Sequence, residues 1–309
     1  MTIQQLEYII SLDTHRHFVK AAEHCFVTQP TLTMQVQKLE EEIGITLFDR
    51  TKKPLEPTTA GIPIIAKIRS ILIEINQLKS FVFNEKESLA GTYRLGIIPT
   101  ISPYLLPLFL QDFTSKYPEV NLQIREMQTA QIIDALKNGT LDIGILATPL
   151  LDQHIREIPL YNEPFLIYLN PSNSLISENE IDADQLPMDT LLLLEEGHCF
   201  REQALRICGN KSDVNTRNFS LQSGSIEGLK NLVKKEIGYT LVPYLSVVEE
   251  IGKQELKRFS SPEPSREISI VSHKGFAKEL LLEKLGDSVK SNLPSELHVI
   301  GNTKRIVWR

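Results

Sequence analysis

The strongest constraint on the fold is an alternation of short apolar runs with amphipathic segments. TYRLGII (92–98) and LDIGILA (141–147) are typical of buried strands, because they are short, apolar and rich in β-branched residues. VNLQIRE (120–126) has the alternating pattern of a third strand. Helices are predicted between them, at about 103–117 and 128–139. This alternation predicts a parallel sheet with helices on both faces.

The same alternation continues to the end of the chain and predicts a second lobe. The predicted elements are PFLIYL (164–169), TLLLLEE (190–196), RNFSLQ (217–222), a helix at 226–236 and IGYTLVP (237–243). EISIVSHK (267–274) and a helix at 276–292 look like a return to the first lobe. We therefore predict a two-lobed α/β domain over 89–309, with lobe I at about 89–162 and 268–309, and lobe II at about 163–267.

The first 58 residues have a different pattern, that of a helix-turn-helix. Amphipathic segments at 3–10 and 17–27 precede a third helix, which Thr28 caps and which ends before Gly44. Three short helices with tight connections predict a DNA-binding domain over 1–58. A plain three-helix bundle is the alternative, because the net charge of −6 gives no support for DNA binding by the whole chain.

Candidate DNA contacts are polar side chains at the start of the third helix and basic side chains in the predicted wing that follows it. Small polar groups at a helix N-terminus suit phosphates and base edges in a major groove. These candidates are Thr28, Gln29, Pro30, Thr31, Thr33, Gln35, Arg50, Lys52 and Lys53.

Residues 59–88 are predicted to form a linker helix that makes dimers. Apolar residues follow a heptad spacing at Ile64, Ile68, Ile71, Ile75, Leu78 and Val82. Such a seam needs a partner, which is either the body of the protein or a second copy of the chain.

Composition describes an ordinary globular protein, with 41% hydrophobic and 23% charged residues among 309. The start, MTIQQLEYII, lacks the basic and apolar regions of a signal peptide, and no apolar run is long enough to span a membrane. We therefore expect a cytoplasmic protein without membrane contact. Disulfides are rare in that compartment and are mostly catalytic or regulatory. Cys25 is predicted to lie on the inner face of its helix, as part of the core.

The other two cysteines lie in LEEGHCFREQALRICGN (194–210), where FREQALRI predicts a helix between Cys199 and Cys208. Nine residues of helix separate two Cα atoms by roughly 14 Å. A disulfide needs a separation of about 4.4–6.8 Å. The pair can therefore bond only if the helix opens, as in a redox switch. The alternative is that both are ordinary buried thiols.

Cys199 is the better candidate for the reactive thiol. It lies near a helix N-terminus and beside His198 and Arg201, which are features that lower a thiol pKa. Peroxide converts a thiolate to a sulfenic acid, which condenses with a second thiol such as Cys208. No cofactor and no metal ion are predicted.

The N-terminal sequence resembles that of the LysR-type transcriptional regulators. The resemblance covers FVKAAEHCFVTQPTLTMQVQKLEEEIGITLFDRTKKPLEPTTAG (18–61) and rests on Phe18, Ala21, Ala22, Val27, Gln29, Pro30, Leu32, Gln35, Leu39, Glu40, Gly44, Leu47, Phe48, Arg50, Thr59, Ala60 and Gly61. It implies a winged helix-turn-helix, a dimerisation helix and a two-lobed effector domain like that of periplasmic solute-binding proteins.

Four further segments resemble the hydrogen-peroxide-sensing branch of that family: RLGIIPTISPYLLP (94–107), REMQTAQII (125–133), LLEEGHCFREQALRIC (193–208) and EPSREISIV (263–271). By this resemblance Cys199 is the peroxidatic cysteine and Cys208 its partner. Thr100 and Thr129 hold peroxide, while His198, Arg201 and Arg266 tune the thiol.

The resemblance implies a transcription regulator, not an enzyme. Its expected partners are promoter DNA, hydrogen peroxide, further copies of itself in a homodimer or homotetramer, and a thiol reductant such as a glutaredoxin or thioredoxin. RNA polymerase is a further candidate. Two alternatives remain, namely a LysR-type regulator of a small molecule bound between the lobes, and a thiol peroxidase.

Overall fold

A computed structural model describes residues 1–83, 89–209, 224–298 and 303–307, without the side chains of 76, 77 and 79–83. The chain divides into two compact units, residues 1–87 and 88–309. Each unit has its own hydrophobic core. The predicted strand at 217–222 lies outside the described residues.

The N-terminal unit is a helix-turn-helix with a small wing. Its elements are α1 (Ile3–His15), α2 (Phe18–His24), α3 (Gln29–Ile43), β1 (Phe48–Asp49), β2 (Glu56–Pro57) and α4 (Gly61–Phe83). Thr28 caps α3 and Gly44 ends it with a φ of +70°, as predicted. Helix α2 is shorter than the predicted 17–27, because the chain turns at Phe26, which has a φ of +55°. Cys25 is half-buried and packs against the core, as expected.

Helix α4 confirms the predicted linker helix, but the first part of its seam packs within its own unit. Ile68 is buried in the helix-turn-helix core, and Ile64 and Ile71 pack against that core. Leu78 is 65% exposed. The side chain of Val82 lies outside the described residues. The first part of the seam is thus occupied by contacts within its own unit. A second copy of the chain would have to bind the C-terminal part of the seam.

The second unit is an α/β domain built on a mixed sheet, which has ten strands within the described residues. Its helices are α5 (Ser102–Lys116), α6 (Thr129–Lys137), α7 (Cys199–Ile207), α8 (Ile226–Val233) and α9 (Glu279–Ser291). Its strands are β3 (Gly91–Ile97), β4 (Val120–Glu126), β5 (Ile143–Thr148), β6 (Ile155–Tyr168), β7 (Glu180–Ile181), β8 (Leu191–Leu192), β9 (Tyr239–Pro243), β10 (Leu256–Phe259), β11 (Glu263–His273) and β12 (Thr303–Arg305). Strands β3, β4 and β5 are parallel, as predicted.

Two long antiparallel strands, β6 and β11, join the lobes. Strand β11 pairs with β5 and with β6, while the end of β6 pairs with β9 and β10 of the second lobe. The predicted lobe boundaries, near 163 and 267, therefore fall inside these two strands. The predicted strand at 190–196 is wrong in extent, because only Leu191 and Leu192 pair with β9 before the chain turns toward α7.

Within the described residues, no helix combines the length and the apolar character needed to cross a membrane.

Candidate redox site

The redox site begins with a glycine turn that positions helix α7. Gly197 has a φ of +92°, and a Cβ there would lie 2.6 Å from the Gln128 side chain. Only glycine combines this backbone conformation with so close an approach. Gln128 precedes α6 and Gly197 precedes α7 by two residues. The turn thus brings the N-termini of the two helices together, and with them Thr129 and Cys199.

Both predicted threonines lie in this site and are buried. Thr129 is the first residue of α6, and a hydrogen bond from its hydroxyl favours the thiolate form of Cys199. Within the described residues, Thr129 Oγ1 has no nitrogen or oxygen partner. Thr100 follows β3, and its hydroxyl accepts a 3.0 Å hydrogen bond from Arg266. The Thr100 carbonyl accepts a second one of 3.2 Å.

Arg266 is the cation of the site and is fully buried. It lies on β11 directly opposite Glu163 on β6. Its Nε and Nη2 donate to Glu163 Oε2 at 2.9 and 2.7 Å. The other Glu163 oxygen accepts a 2.9 Å hydrogen bond from the Leu245 amide. The guanidinium also lies 5.2 Å from the centroid of the Phe200 ring. These contacts fix the charge at the crossing of the two lobes.

Cys199 is the first residue of α7 and is 4% exposed. The sequence prediction of a lowered pKa is wrong in its net direction, because burial raises the pKa of the Cys199 thiol. Opposing this, Arg266 lowers it most, followed by the Thr129 hydroxyl and the backbone N–H groups at the helix start. The expected cation and helix end are thus present, but desolvation outweighs them.

His198 and Arg201 have other contacts than the predicted ones. The buried His198 is the residue before α7, and its Nε2 lies 3.5 Å from Glu195 Oε1. Arg201 Nη1 donates a 2.8 Å hydrogen bond to the Leu194 carbonyl. Both side chains therefore hold the loop that leads into α7. Among the three residues predicted to tune the thiol, Arg266 is the one whose charge lowers the pKa of Cys199.

Cys208 follows the last residue of α7 and is also 4% exposed. Burial raises its pKa to about 11, against a smaller opposing effect of the Tyr239 hydroxyl. Both cysteines are reduced. The predicted helix between the two cysteines is confirmed, and its length corresponds to a separation of roughly 14 Å.

Three further residues complete the site and were not predicted. Glu163 holds Arg266, and the fully buried Gln203 lies one helical turn after Cys199. Tyr161 is buried near Arg266 and Glu163, and burial raises its pKa. The sequence signal for Glu163 is its position, because it is a charged residue directly before the apolar run PFLIYL. In the described parts of the chain, no three His, Cys, Asp or Glu side chains converge to hold a metal ion.

Two family models match the chain. The lysR-family bacterial regulatory helix-turn-helix matches residues 3–62, and the LysR substrate binding domain matches residues 86–294. The hydrogen peroxide-inducible genes activator of Haemophilus influenzae is 34% identical over 96% of this chain and 99% of its own. The DNA-binding transcriptional dual regulator OxyR of Escherichia coli is 33% identical over 95% and 96%.

Solved structures agree. Full-length OxyR C199D from Pseudomonas aeruginosa has a TM-score of 0.79 and 31% identity, covering 95% of this chain and 99% of that one. The chain belongs to the OxyR branch of the LysR-type transcriptional regulators. A hydrogen-peroxide-bound OxyR cysteine mutant from Corynebacterium glutamicum matches at a TM-score of 0.62 and 26% identity, over 94% and 92%. OxyR proteins are transcription regulators, which excludes the thiol peroxidase alternative.

The helix-turn-helix that this chain shares with OxyR exposes only some of the predicted DNA contacts. Thr28, Gln29 and Pro30 are exposed, whereas the other three at the start of α3 are half-buried. Lys52 and Lys53 are exposed on the wing. Arg50 is engaged within the domain, because it pairs with Glu40 at 2.7 Å and lies over the Phe18 ring. It anchors the wing to α3.

The half-buried members of that set make contacts within the domain. The Thr31 hydroxyl lies 2.8 Å from the Thr28 hydroxyl, and Gln35 accepts a 3.1 Å hydrogen bond from Gln5. Thr33 is half-buried on the same helix. This hydrogen bond engages Gln35 Oε1 and leaves the Nε2 donors of Gln35 for a DNA contact.

Proposed function

We propose that this protein is a DNA-binding transcription regulator that hydrogen peroxide activates through a reversible Cys199–Cys208 disulfide. One observation carries the proposal: the two buried thiols lie at opposite ends of a nine-residue helix, and among the described residues a cation, Arg266, favours the thiolate of Cys199 alone. The helix keeps the thiols too far apart to bond. Oxidation therefore has to open α7, which makes its conformation a signal.

In the first step the Cys199 thiolate attacks one oxygen of hydrogen peroxide. The S–O bond forms as the O–O bond breaks, and the departing hydroxide takes up a proton to leave as water. Arg266 and Thr129 favour the thiolate. We propose that the Thr100 and Thr129 hydroxyls hold the peroxide, which is supported by the contact of Thr100 with Arg266 and of Thr129 with Cys199. The product is a sulfenic acid on Cys199, and sulfur has supplied both electrons.

In the second step Cys208 attacks the oxidised sulfur of Cys199. The S–S bond forms, the S–O bond breaks, and the hydroxyl leaves as a second water after taking up a proton. An isolated helix of about ten residues is marginal in water, so α7 depends on its packing and can open. A thiol reductant, such as a glutaredoxin or thioredoxin, returns two electrons and restores both thiols.

The opened helix changes the effector domain, and we propose that this change re-spaces the DNA-binding domains of a homodimer or homotetramer on promoter DNA. The exposed threonine, glutamine and lysines of the helix-turn-helix make the DNA contacts. The exposed part of α4 pairs with a second copy. The protein works in the cytoplasm, where reductants reset the disulfide, and RNA polymerase is the partner that reads the change.

Mass spectrometry of the full-length protein after a small dose of peroxide tests the proposal. We expect a Cys199–Cys208 bridge that a dithiol reductant removes. Cys208→Ser should accumulate the Cys199 sulfenic acid, whereas Cys199→Ser should leave Cys208 reduced and transcription indifferent to peroxide. Thiols that stay reduced, or a Cys199→Ser variant with intact peroxide response, would contradict the proposal.

A further inference from the structure

The C-terminal strand β12 is fixed to the redox helix by one side chain. Gln203 is fully buried in the middle of α7, and its Nε2 donates a 3.0 Å hydrogen bond to the Ile306 carbonyl. Within the described residues, its Oε1 has no partner. This hydrogen bond therefore links two segments that are 103 residues apart in the sequence.

The rest of this contact leads to the buried Arg266. The Ile306 amide donates a 2.7 Å hydrogen bond to the Ser265 carbonyl, one residue before Arg266. Strand β12 pairs in parallel with Glu263–Ser265 of β11, and Arg305 lies 2.6 Å from Glu267. The Ile306 side chain is buried in the core of the effector domain. The segment 303–307 thus lies between the strand that carries the cation and the helix that carries both thiols.

We expect disulfide closure to break this contact. The ends of α7 must approach from roughly 14 Å to about 6 Å. At least part of the helix between the cysteines must then unwind. Gln203 lies in the middle of that segment, four residues from Cys199 and five from Cys208, so we expect its amide to leave the Ile306 carbonyl.

We propose that Gln203 is a positioning residue for the second redox step: it holds α7 closed through β12, and closure of the disulfide releases the C-terminal strand. The inference rests on the proposed disulfide. Because the contact stabilises only the helical form, it slows closure and makes the disulfide more oxidising. By reciprocity, oxidation weakens the hold on the strand by the same factor.

The test measures both redox steps separately in the full chain, by quenched-flow alkylation and intact mass spectrometry. Gln203→Met keeps the length of the side chain but removes the donor. We expect closure to become roughly fivefold faster relative to sulfenic acid formation, as for the loss of one hydrogen bond, and a potential about 20 mV more negative. Glu202→Met, on the exposed face of α7, is the matched control and should change neither rate.

A chain that ends at residue 302 should also close faster, and Gln203→Met should have no further effect in it. Unchanged closure in both variants, or effects that multiply in the combined variant, would overturn the role of Gln203 while leaving the disulfide intact. A wild-type protein that forms no disulfide would overturn both proposals.

A measurement on the wild-type chain covers variants that fail to fold. Hydrogen exchange of the Ile306 amide, which is bonded to Ser265 in the reduced form, should become faster in the disulfide form. Equal protection of Ile306 in both redox forms would overturn release of the strand.

Discussion

The thiols at the two ends of helix α7 are equally buried, but their surroundings differ. Cys199 and Cys208 are each 4% exposed, and burial raises the pKa of both. At the N-terminal end, a guanidinium, a hydroxyl and backbone N–H groups oppose that effect. At the C-terminal end, the Tyr239 hydroxyl is the one group among the described residues that opposes the effect of burial on the pKa of Cys208. Burial thus raises the pKa of both thiols, and in the proposed mechanism the groups that oppose this effect decide which thiol attacks peroxide.

The charge of Arg266 is the largest difference between the two ends, and its removal should have the largest effect. Arg266→Met leaves Glu163 buried without its partner, which costs about 3–5 kcal/mol of stability. It should also raise the pKa of Cys199, and each unit of that rise lowers the thiolate fraction about tenfold. The rate of Cys199 alkylation against pH, with thermal unfolding in parallel, measures both effects.

A second substitution separates the two roles of Arg266. Arg266→Met with Glu163→Gln removes the unpaired charge and should recover most of the lost stability. The slow reaction of Cys199 should remain. If the double variant also recovers the wild-type reactivity, Arg266 acts only by stabilising the fold. Its charge would then not explain why the two thiols differ.

The raised pKa of Cys208 predicts a pH dependence that belongs to the C-terminal end. The folded thiol titrates at about 11 and the unfolded one near 9.0. Between these values the folded protein keeps a proton that the unfolded chain has lost, so stability is full below pH 9 and falls as pH rises toward 11. The loss amounts to about 3 kcal/mol.

Cys208→Ala is the control for this pH dependence. Its cavity costs stability at every pH, but its stability should fall less steeply than wild type between pH 9 and 11. Denaturant titrations of the reduced proteins across that range measure the difference. Parallel curves would mean that Cys208 titrates alike in the folded and unfolded chains, and that its burial does not protect it.

Much of the fold follows from local pattern, whereas the site does not. Thr28 and Gly44 predict both ends of α3, and the short apolar runs predict the parallel strands β3 and β5. The helix between the cysteines is predicted by FREQALRI alone. The long strands β6 and β11 were predicted only in part, because the same strand serves two lobes and no composition change marks the crossing.

The site depends on pairings between residues distant in sequence. Cys199 and Thr129 lie close together because Gly197 has no side chain that would collide with Gln128. Arg266 contacts Glu163 because the register of β11 and β6 places them opposite each other. Spacing along the chain carries neither fact, which is why spacing pointed to Arg201 and only the family resemblance pointed to Arg266. The net pKa of Cys199 needs the burial of the site, and a sequence gives helix ends and charges but not the desolvation that opposes them.

The smallest expected effects come from the single hydroxyl at each end of α7. Thr129→Val preserves the shape of the side chain but removes the hydroxyl that lowers the pKa of Cys199. Sulfenic acid formation should slow by roughly threefold to tenfold, the net value of one ordinary hydrogen bond. Tyr239→Phe removes the corresponding hydroxyl from Cys208, and it should leave that first step unchanged.

The pair of variants asks whether the two ends act independently. Rapid trapping of the sulfenic acid measures the first step, and the appearance of the disulfide measures the second. A Tyr239→Phe variant that slows the first step would mean that the ends are coupled through the intact helix. Independence would instead mean that peroxide reacts with one end of a closed helix, and that Cys208 enters the chemistry only after α7 opens.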